Sequence, residues 1–143
     1  MIEQMGGGYW CSTNLARVKG ANAGGVEKFK QNDAWDLYAH LFSKPDCISG
    51  SCADYAAGAT VDCEEQSKDQ REGRKVKVPT CVVYSATNLG SMHDVPKVWG
   101  EWVDEKAELK CIGVPDRYGH FLPEECPDVV VKHVTEWLDH VGA

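Results

Sequence analysis

Apolar positions recur with helical spacing in the first third of the chain. Over residues 26–42 they fall on one helix face, and residues 32–33 (Asn-Asp) predict an internal cap or break. Pro45 is expected to end this segment, because the residue before a proline avoids helical geometry. A polar turn at residues 49–51 and a second helix from about Cys52 are predicted next, followed by a charged stretch that stops at Gly73.

Two short apolar runs further along the chain predict strands. Residues 80–84 are mostly β-branched or aromatic, as in a strand buried on both faces, and residues 109–114 form a similar run. Residues 85–90 are then a loop at the carboxyl end of the first strand. In open α/β sheets this is the edge at which ligands bind.

Helical spacing returns after each of these runs. Residues 95–102 predict a helix with Pro96 in its first turn, and residues 127–141 predict a closing amphipathic helix. The positions expected to face inward on the closing helix are Val130, Val131, Val134, Leu138 and Val141. The resulting strand–helix–strand–helix (βαβα) order predicts parallel strands and places the protein in the α/β class.

Composition and charge narrow the function classes. The 143 residues, 43% hydrophobic and 26% charged, suit one globular domain. A net charge of −7 argues against nucleic acid and anionic membrane as partners, since phosphate binding needs clustered cations. No apolar run approaches the ~20 residues of a membrane span, and the first five residues show no secretory signal.

The cysteines predict a reducing environment and no metal. Seven is an odd number, which favours free thiols in the cytoplasm. Cys47 and Cys52 lie five positions apart, but no second close pair or spaced histidine pair follows them, so a zinc site is not expected. We expect neither a metal nor a cofactor.

His120 is the residue with the clearest chemical potential. It follows a glycine and a predicted strand, and it precedes an apolar pair, a proline and two acids. An imidazole at the carboxyl edge of a parallel strand can reach an active-site cleft, and its near-neutral pKa suits general base work. A histidine on a surface loop is the alternative interpretation.

Four stretches, at residues 54–59, 73–79, 95–102 and 119–125, resemble the C-terminal half of the fluoroacetate and haloacetate dehalogenases, relatives of the soluble epoxide hydrolases. The most specific are Gly-His-Phe-Leu-Pro-Glu-Glu at 119–125 and the Asp-Tyr-x-Ala-Gly-Ala pattern at 54–59. The others are Gly-Arg-Lys-Val-Lys-Val-Pro at 73–79 and Val-Pro-Lys-Val-Trp-Gly-Glu-Trp at 95–102. Taken in order, the four stretches indicate that the resemblance extends over residues 29–143.

The resemblance implies a truncated α/β-hydrolase fold, with a remnant of the helical cap in residues 1–60 and the C-terminal part of the core in residues 61–143. In that family an aspartate attacks the carbon that bears the leaving group, and a histidine activates the water that hydrolyses the resulting ester. The histidine corresponds to His120. A cap tyrosine that helps to hold the departing halide corresponds to Tyr55, for which a helix tyrosine packed on the sheet is the alternative.

The sequence also departs from the family pattern. No Gly-x-Asp-x-Gly or Gly-x-Ser-x-Gly nucleophile elbow occurs in it, and the family's aspartate would lie upstream of the cap. The acid that orients the histidine and the arginines that bind the substrate carboxylate would also lie upstream. The cap arginine after the tyrosine is Ala56 here. A partner for His120 must therefore come from Asp94, Asp116 or another chain.

Three functions remain open at this point. The first is a repurposed enzyme in which His120 performs cyclisation, isomerisation or dehydration of a small apolar molecule without a covalent nucleophile. The second is one half of a dehalogenase-like or epoxide hydrolase-like enzyme whose N-terminal half is a separate polypeptide. The third is a non-catalytic binding protein.

The predicted core also has consequences for assembly. Half of a doubly wound sheet leaves a strand edge and an apolar face uncovered. We therefore predict a homodimer, or a complex with a complementary N-terminal-half chain, and a small-molecule substrate rather than nucleic acid or membrane.

Overall fold

The computed structural model describes residues 2–142. In chain order its elements are α1 (Ile2–Met5), α2 (Gly7–Val18), α3 (Ala23–Lys30), a 3₁₀ turn (Gln31–Asp33), α4 (Ala34–Leu41), α5 (Pro45–Gly58), α6 (Val61–Glu72), β1 (Thr80–Ser85), α7 (Leu89–Met92), α8 (Val95–Trp102), β2 (Leu109–Val114), α9 (Leu122–Glu125) and α10 (Pro127–Val141).

The chain divides into two compact units, each built from two stretches of sequence. The helical unit comprises Met1–Arg17 and Lys30–Arg74, and the strand unit comprises Val18–Phe29 and Lys75–Ala143. An N-terminal segment is thus part of the strand unit. The assignment of residues 1–60 to a cap and 61–143 to a core stays a prediction.

Glycines allow a close backbone approach in the helical unit. A Cβ on Gly7 would overlap the carbonyl oxygen of Phe42, and one on Gly8 would approach the carbonyl oxygen of Ala39. The start of α2 therefore lies directly against the end of α4. Trp10 and Phe42 stack one turn further on, with ring centroids 5.2 Å apart.

The predicted break in the first helical segment is confirmed. The 3₁₀ turn Gln31–Asp33 separates α3 from α4, and Asp33 has a left-handed φ of 57°. Aspartate tolerates this conformation better than most residues because its short side chain bonds locally. Gly73, with a φ of 66°, ends α6 as expected.

The predicted turn at residues 49–51 is wrong. These residues lie inside α5, which begins at Pro45, while the preceding helix already ends at Leu41. Proline at the first helical position loses no hydrogen bond, since that N–H has no partner within a helix. The Ser49 hydroxyl donates to the carbonyl oxygen of Asp46 at 3.2 Å, so it does not compete with the helix.

The strand unit confirms the predicted βαβα order. β1 and β2 are parallel, in register from Thr80 opposite Leu109 to Ser85 opposite Val114, and α8 connects them with α7. Burial differs from the prediction, because Thr80 to Tyr84 are half-buried and only Ser85 at the strand end is buried. Among the described residues each strand has one partner strand. This two-stranded sheet therefore covers less apolar surface than a larger α/β sheet would.

The core of the strand unit lies at the end of β2. Val114, Leu122 and Cys126 are buried together, and Val83 and Tyr118 pack against them. The N-terminal segment adds Phe29, which is fully buried and whose ring centroid lies 5.3 Å from that of Phe121. The loop and short helix that follow β2 are therefore the best-packed part of the unit.

The predicted inward face of α10 is partly wrong. Val131, Val134 and Leu138 are exposed, at 62%, 43% and 44%, whereas Trp137 is buried. Val130 and Val141 are half-buried, as the prediction requires of inward positions. The buried stripe thus passes through Trp137, because the large indole removes more apolar surface from water than the aliphatic side chains beside it.

Candidate functional site

The carboxyl ends of β1 and β2 meet at one edge of the sheet. The Ala86 N–H donates to the carbonyl oxygen of Val114 at 2.9 Å, which continues the strand pairing past the end of β1. The loop after β1 carries Thr87 and Asn88, and the loop after β2 carries Tyr118 and His120. Predicted ligand-binding positions from both strands therefore lie on this edge.

Hydroxyl groups at the end of β1 and just after it hold the loop that carries His120. The Ser85 Oγ donates to the carbonyl oxygen of Tyr118 at 2.5 Å, and the Thr87 Oγ1 donates to the same oxygen at 3.2 Å. The Ser85 Oγ also accepts from the Asn88 N–H at 3.1 Å. One buried serine thus connects both loops of the edge.

A buried carboxylate holds the same loop from the other side. Glu125 is fully buried, and its Oε2 accepts from the N–H groups of Gly119 at 3.0 Å and Gly20 at 2.8 Å. Its Oε1 accepts from the Phe121 N–H at 3.2 Å. Three donors satisfy a charge that would otherwise be costly to bury. The backbone is therefore fixed on each side of His120.

Sequence reasoning assigned no role to Glu125. The sequence does show two consecutive acids after His120, and Glu125 is the second of them. The first, Glu124, is half-buried. Distinguishing the two acids needs the fold, because only the turn of α9 directs Glu125 back at the N–H groups that precede it.

The N-terminal segment of the strand unit also contacts this loop. The Ala21 N–H donates to the carbonyl oxygen of Arg117 at 2.9 Å, and the Asn22 Nδ2 donates to that of Asp116 at 2.8 Å. Asp116 and Arg117 have left-handed φ values of 70° and 62°. Such strain in consecutive residues persists only where surrounding contacts hold it.

His120 is exposed at this edge. Its ring meets that of Phe121 edge-on, with centroids 5.1 Å apart. Among the described side chains and backbone the imidazole has no hydrogen-bond or ion-pair partner, and neither Asp94 nor Asp116 pairs with it. Asp94 instead caps α8, where its carboxylate accepts from the Lys97 N–H at 3.2 Å. An exposed imidazole on a fixed backbone can accept or donate a proton.

Tyr55 lies in the other unit. It is on α5 of the helical unit, and its side chain is 77% exposed, which disagrees with a tyrosine packed on a sheet. Its proposed role in holding a halide stays a prediction. The two candidate residues are thus carried by different units.

An open cavity of about 500 Å³ adjoins the loop that carries His120. Residues of the strand unit line it, among them Gly20, Asn88 and Gly119, and the His120 side chain is not one of them. Its volume lies within the range of small-molecule sites.

The described part of the chain shows neither a metal-binding cluster nor a membrane-spanning helix. Among the side chains that the structure describes, no group of three or more histidine, cysteine, aspartate or glutamate residues is placed to hold a metal ion. None of the helices in the same range has both the length and the apolar character required to cross a membrane.

Comparison with known proteins identifies the fold. No protein-family model matches the chain. The chain is 32% identical over 101 residues to a fluoroacetate dehalogenase of Burkholderia sp, a match that covers 71% of this chain and 31% of the dehalogenase. The resemblance seen in the sequence is thereby confirmed.

Solved structures show the same fold over more than nine-tenths of the chain. A protein of Nostoc sp PCC 7120 described as an α/β hydrolase is 28% identical, with a TM-score of 0.76 over 93% of this chain and 42% of its own. A protein of Pseudomonas aeruginosa described as an epoxide hydrolase is 23% identical, with a TM-score of 0.75 over 96% of this chain and 44% of its own. The chain therefore has the fold of the C-terminal part of α/β hydrolases and spans less than half of these relatives.

Proposed function

We propose that this chain carries the general base of an α/β-hydrolase-type active site, with His120 as the base acting on a small molecule at the carboxyl edge of β1 and β2. The observation that supports it is the double fixation of the loop, by Glu125 on Gly119 and Phe121 and by Ser85 on Tyr118. A general base needs a fixed position, because small displacements weaken proton transfer.

The chemistry that needs only this chain is non-hydrolytic. Cyclisation, isomerisation and dehydration each require a base and a binding surface, but no covalent nucleophile. The 143 residues contain no nucleophile elbow, so this version uses only groups that lie within them. It requires neither a metal nor a cofactor.

Hydrolysis is the second candidate, and the similarity to a fluoroacetate dehalogenase favours it. In this version an aspartate nucleophile comes from sequence outside the 143 residues. His120 then activates the water that hydrolyses the ester formed on that aspartate, and Tyr55 takes the role of halide-holding residue.

The test compares His120→Gln with the matched control His93→Gln, which changes another exposed histidine of the strand unit. Proton abstraction is measured as deuterium exchange at the α-carbon of small ketones, and hydrolysis as fluoride release from fluoroacetate or diol formation from epoxides. We expect His120→Gln to lose a factor of about 10² or more in whichever rate the parent shows, while the control retains it.

The outcomes separate the candidates. Exchange without hydrolysis supports the non-hydrolytic version, and hydrolysis only in the presence of a second chain that carries an aspartate elbow supports the other. If His120→Gln is as active as the parent, His120 is not the base. If small molecules bind but neither activity is detected, the result supports a non-catalytic binding protein.

We further propose that the strand unit pairs with a second copy of the chain in a reducing, cytoplasmic setting. The exposed apolar positions Val131, Val134 and Leu138 on α10 support this, because apolar surface of that kind favours association. A single monomeric species in sedimentation at micromolar concentration would contradict the homodimer. A copurifying chain with an aspartate elbow would replace it with a complementary N-terminal half.

A further inference from the structure

The loop that carries His120 contains a sharp bend, and the N-terminal segment of the strand unit binds both residues of that bend. Asp116 and Arg117 have left-handed φ values of 70° and 62°. The carbonyl oxygen of Asp116 accepts from the Asn22 Nδ2 at 2.8 Å, and that of Arg117 accepts from the Ala21 N–H at 2.9 Å. Left-handed geometry is uncommon for residues other than glycine, so these two hydrogen bonds hold the bend against relaxation.

Asn22 makes two hydrogen bonds that can be separated chemically. Its Oδ1 accepts from the Gly25 N–H at 2.9 Å, which is the geometry of a residue that caps the N-terminus of α3. Its Nδ2 donates to the bend. A carboxylate of the same shape still caps the helix but has no hydrogen to donate. The bond to the loop can therefore be deleted while the cap is kept.

Close backbone packing holds the N-terminal segment against the loop on both sides of Asn22. A Cβ on Gly20 would overlap the carbonyl oxygen of Arg117, and a Cβ on Gly25 would lie 3.1 Å from the carbonyl oxygen of Glu125. Both glycines are buried. The absence of a side chain is what permits this approach. The amide of Asn22 is therefore presented to the bend from a segment that is itself held in place.

The bend determines the direction of the chain before it reaches His120. It begins two residues after β2 ends at Val114, and His120 follows three residues after it. Each residue has only two soft backbone torsions, so a change of φ at the bend redirects everything that follows. Relaxation there would draw Gly119 away from Glu125, whose carboxylate accepts its N–H at 3.0 Å.

From these contacts we infer that Asn22 is a positioning residue, which acts through the bend at Asp116 and Arg117 to fix the backbone that carries His120. The catalytic meaning of the inference rests on the proposed function, because the role of His120 as a base gives its position a use. The geometric part concerns hydrogen bonds alone and is measurable without any activity. Asn22 thus contributes to the site from 94 positions before Asp116.

The test compares Asn22→Asp with the matched control Asn14→Asp. Asn14 is also half-buried, its Nδ2 donates to the carbonyl oxygen of Trp10 at 2.9 Å, and its Oδ1 accepts from Arg17 at 3.1 Å. The two substitutions therefore make the same chemical change and delete the same kind of bond. Only the first of these bonds reaches the loop of His120.

Amide hydrogen exchange of the ¹⁵N-labelled chain measures the geometric part. In Asn22→Asp we expect the amides of Ala21 and Gly119 to exchange about tenfold faster, since the loss of one hydrogen bond favours opening of the loop by about that factor. In Asn14→Asp both amides should exchange at the rate of the parent. Asn22→Ser, which caps a helix with a shorter and uncharged side chain, should behave like Asn22→Asp and excludes an effect of the added charge.

Steady-state kinetics measure the catalytic part, in whichever activity the parent shows. Asn22→Asp should lower kcat about tenfold and change KM by less than about twofold, because a displaced base slows proton transfer without removing a contact to the substrate. Asn14→Asp should retain both constants. A residue that merely supports the fold would not produce this division between kcat and KM.

Three results overturn the inference. They are exchange at the parent's rate for Ala21 and Gly119 in both variants of Asn22, an equal rise in exchange throughout the strand unit, and an unchanged kcat in an active parent. If Asn22→Asp fails to fold, Asn22→Ser still decides the result. If the parent shows neither activity, the proposed function fails, while the exchange rates still decide whether Asn22 holds the loop.

Discussion

The helical unit and the strand unit differ in what they bury. In the described helical unit α4, α5 and α6 contain no buried residue. The apolar residues that this unit buries are Cys11 and Leu15 on α2, and Tyr9, Leu37, Tyr55 and Val61 are more than half exposed. The strand unit buries Val95, Val103, Val114, Leu122 and Trp137 together with Glu125. Burial of apolar area is the main favourable term in folding, so stability is concentrated in the strand unit.

The same difference separates the two predicted site residues. His120 stands on a loop held by buried Ser85 and buried Glu125, whereas Tyr55 projects from a helix without buried residues. A residue on a fixed backbone is suited to proton transfer, because its geometry is established before the ligand arrives. The contrast therefore strengthens the proposal for His120 more than the one for Tyr55.

The largest effect is expected from Glu125→Ala. Removing the carboxylate leaves the N–H groups of Gly20, Gly119 and Phe121 without their acceptor in a buried place, so the free energy of unfolding should fall by about 3–5 kcal/mol. Urea denaturation followed by circular dichroism measures it. Glu105→Ala, at an exposed acid of the same unit, should change the free energy by less than about 0.5 kcal/mol.

Equal losses in these two variants would show that Glu125 holds nothing in place. Glu125→Gln adds a finer comparison, because its amide retains one acceptor oxygen but directs an NH₂ group at backbone donors. We expect its free energy of unfolding to lie between those of the parent and Glu125→Ala.

A smaller effect is expected from matched leucine truncations in the two units. Leu122 is 6% exposed in the core of the strand unit, and its substitution by alanine should lower the free energy of unfolding by about 2–4 kcal/mol. Leu37 is 53% exposed on α4, and the same substitution there should lower the free energy of unfolding by less than about 1 kcal/mol. Urea midpoints of Leu122→Ala and Leu37→Ala compare the units directly. A larger loss for Leu37 would reverse the assignment of stability to the strand unit.

The smallest effect concerns the thiols. Burial raises the pKa of Cys126 above its ordinary value of 9.0, with a further rise from Glu125, and burial also raises the pKa of Cys81 and Cys111. A protonated thiol reacts slowly with alkylating agents. At pH 8 iodoacetamide should label exposed Cys52 and Cys63 of the helical unit first, as read by peptide mass spectrometry. Labelling of Cys126 at the rate of Cys52 would contradict this.

The raised pKa values also set the direction of a pH dependence. A thiol that stays protonated in the fold while the unfolded chain ionises makes folding less favourable as pH rises. The contribution of such a thiol to the free energy of unfolding is fully present below about pH 9. It is lost as pH rises from there through the higher pKa of the folded state. A variant with alanine at positions 81, 111 and 126 should therefore lose less stability than the parent between pH 8 and 10.

The sequence by itself determined the local elements and the resemblance. Residues 80–84 and 109–114 form parallel strands, residues 95–102 form a helix, and Gly73 ends α6, all as predicted. These features follow from spacing, β-branching and glycine, which act within a few residues. The run at 119–125 and the pattern at 54–59, with two further stretches, indicated the α/β-hydrolase relationship that the comparisons confirm.

The tertiary structure alone decided how distant residues meet. It brought Gly20 to Glu125, 105 positions away, and Asn22 to Asp116, 94 positions away. It also directed Trp137 inward in place of Val134 and Leu138 on α10. No local pattern encodes these choices, because each depends on which surfaces the chain brings together when it buries its apolar area and satisfies its buried polar groups.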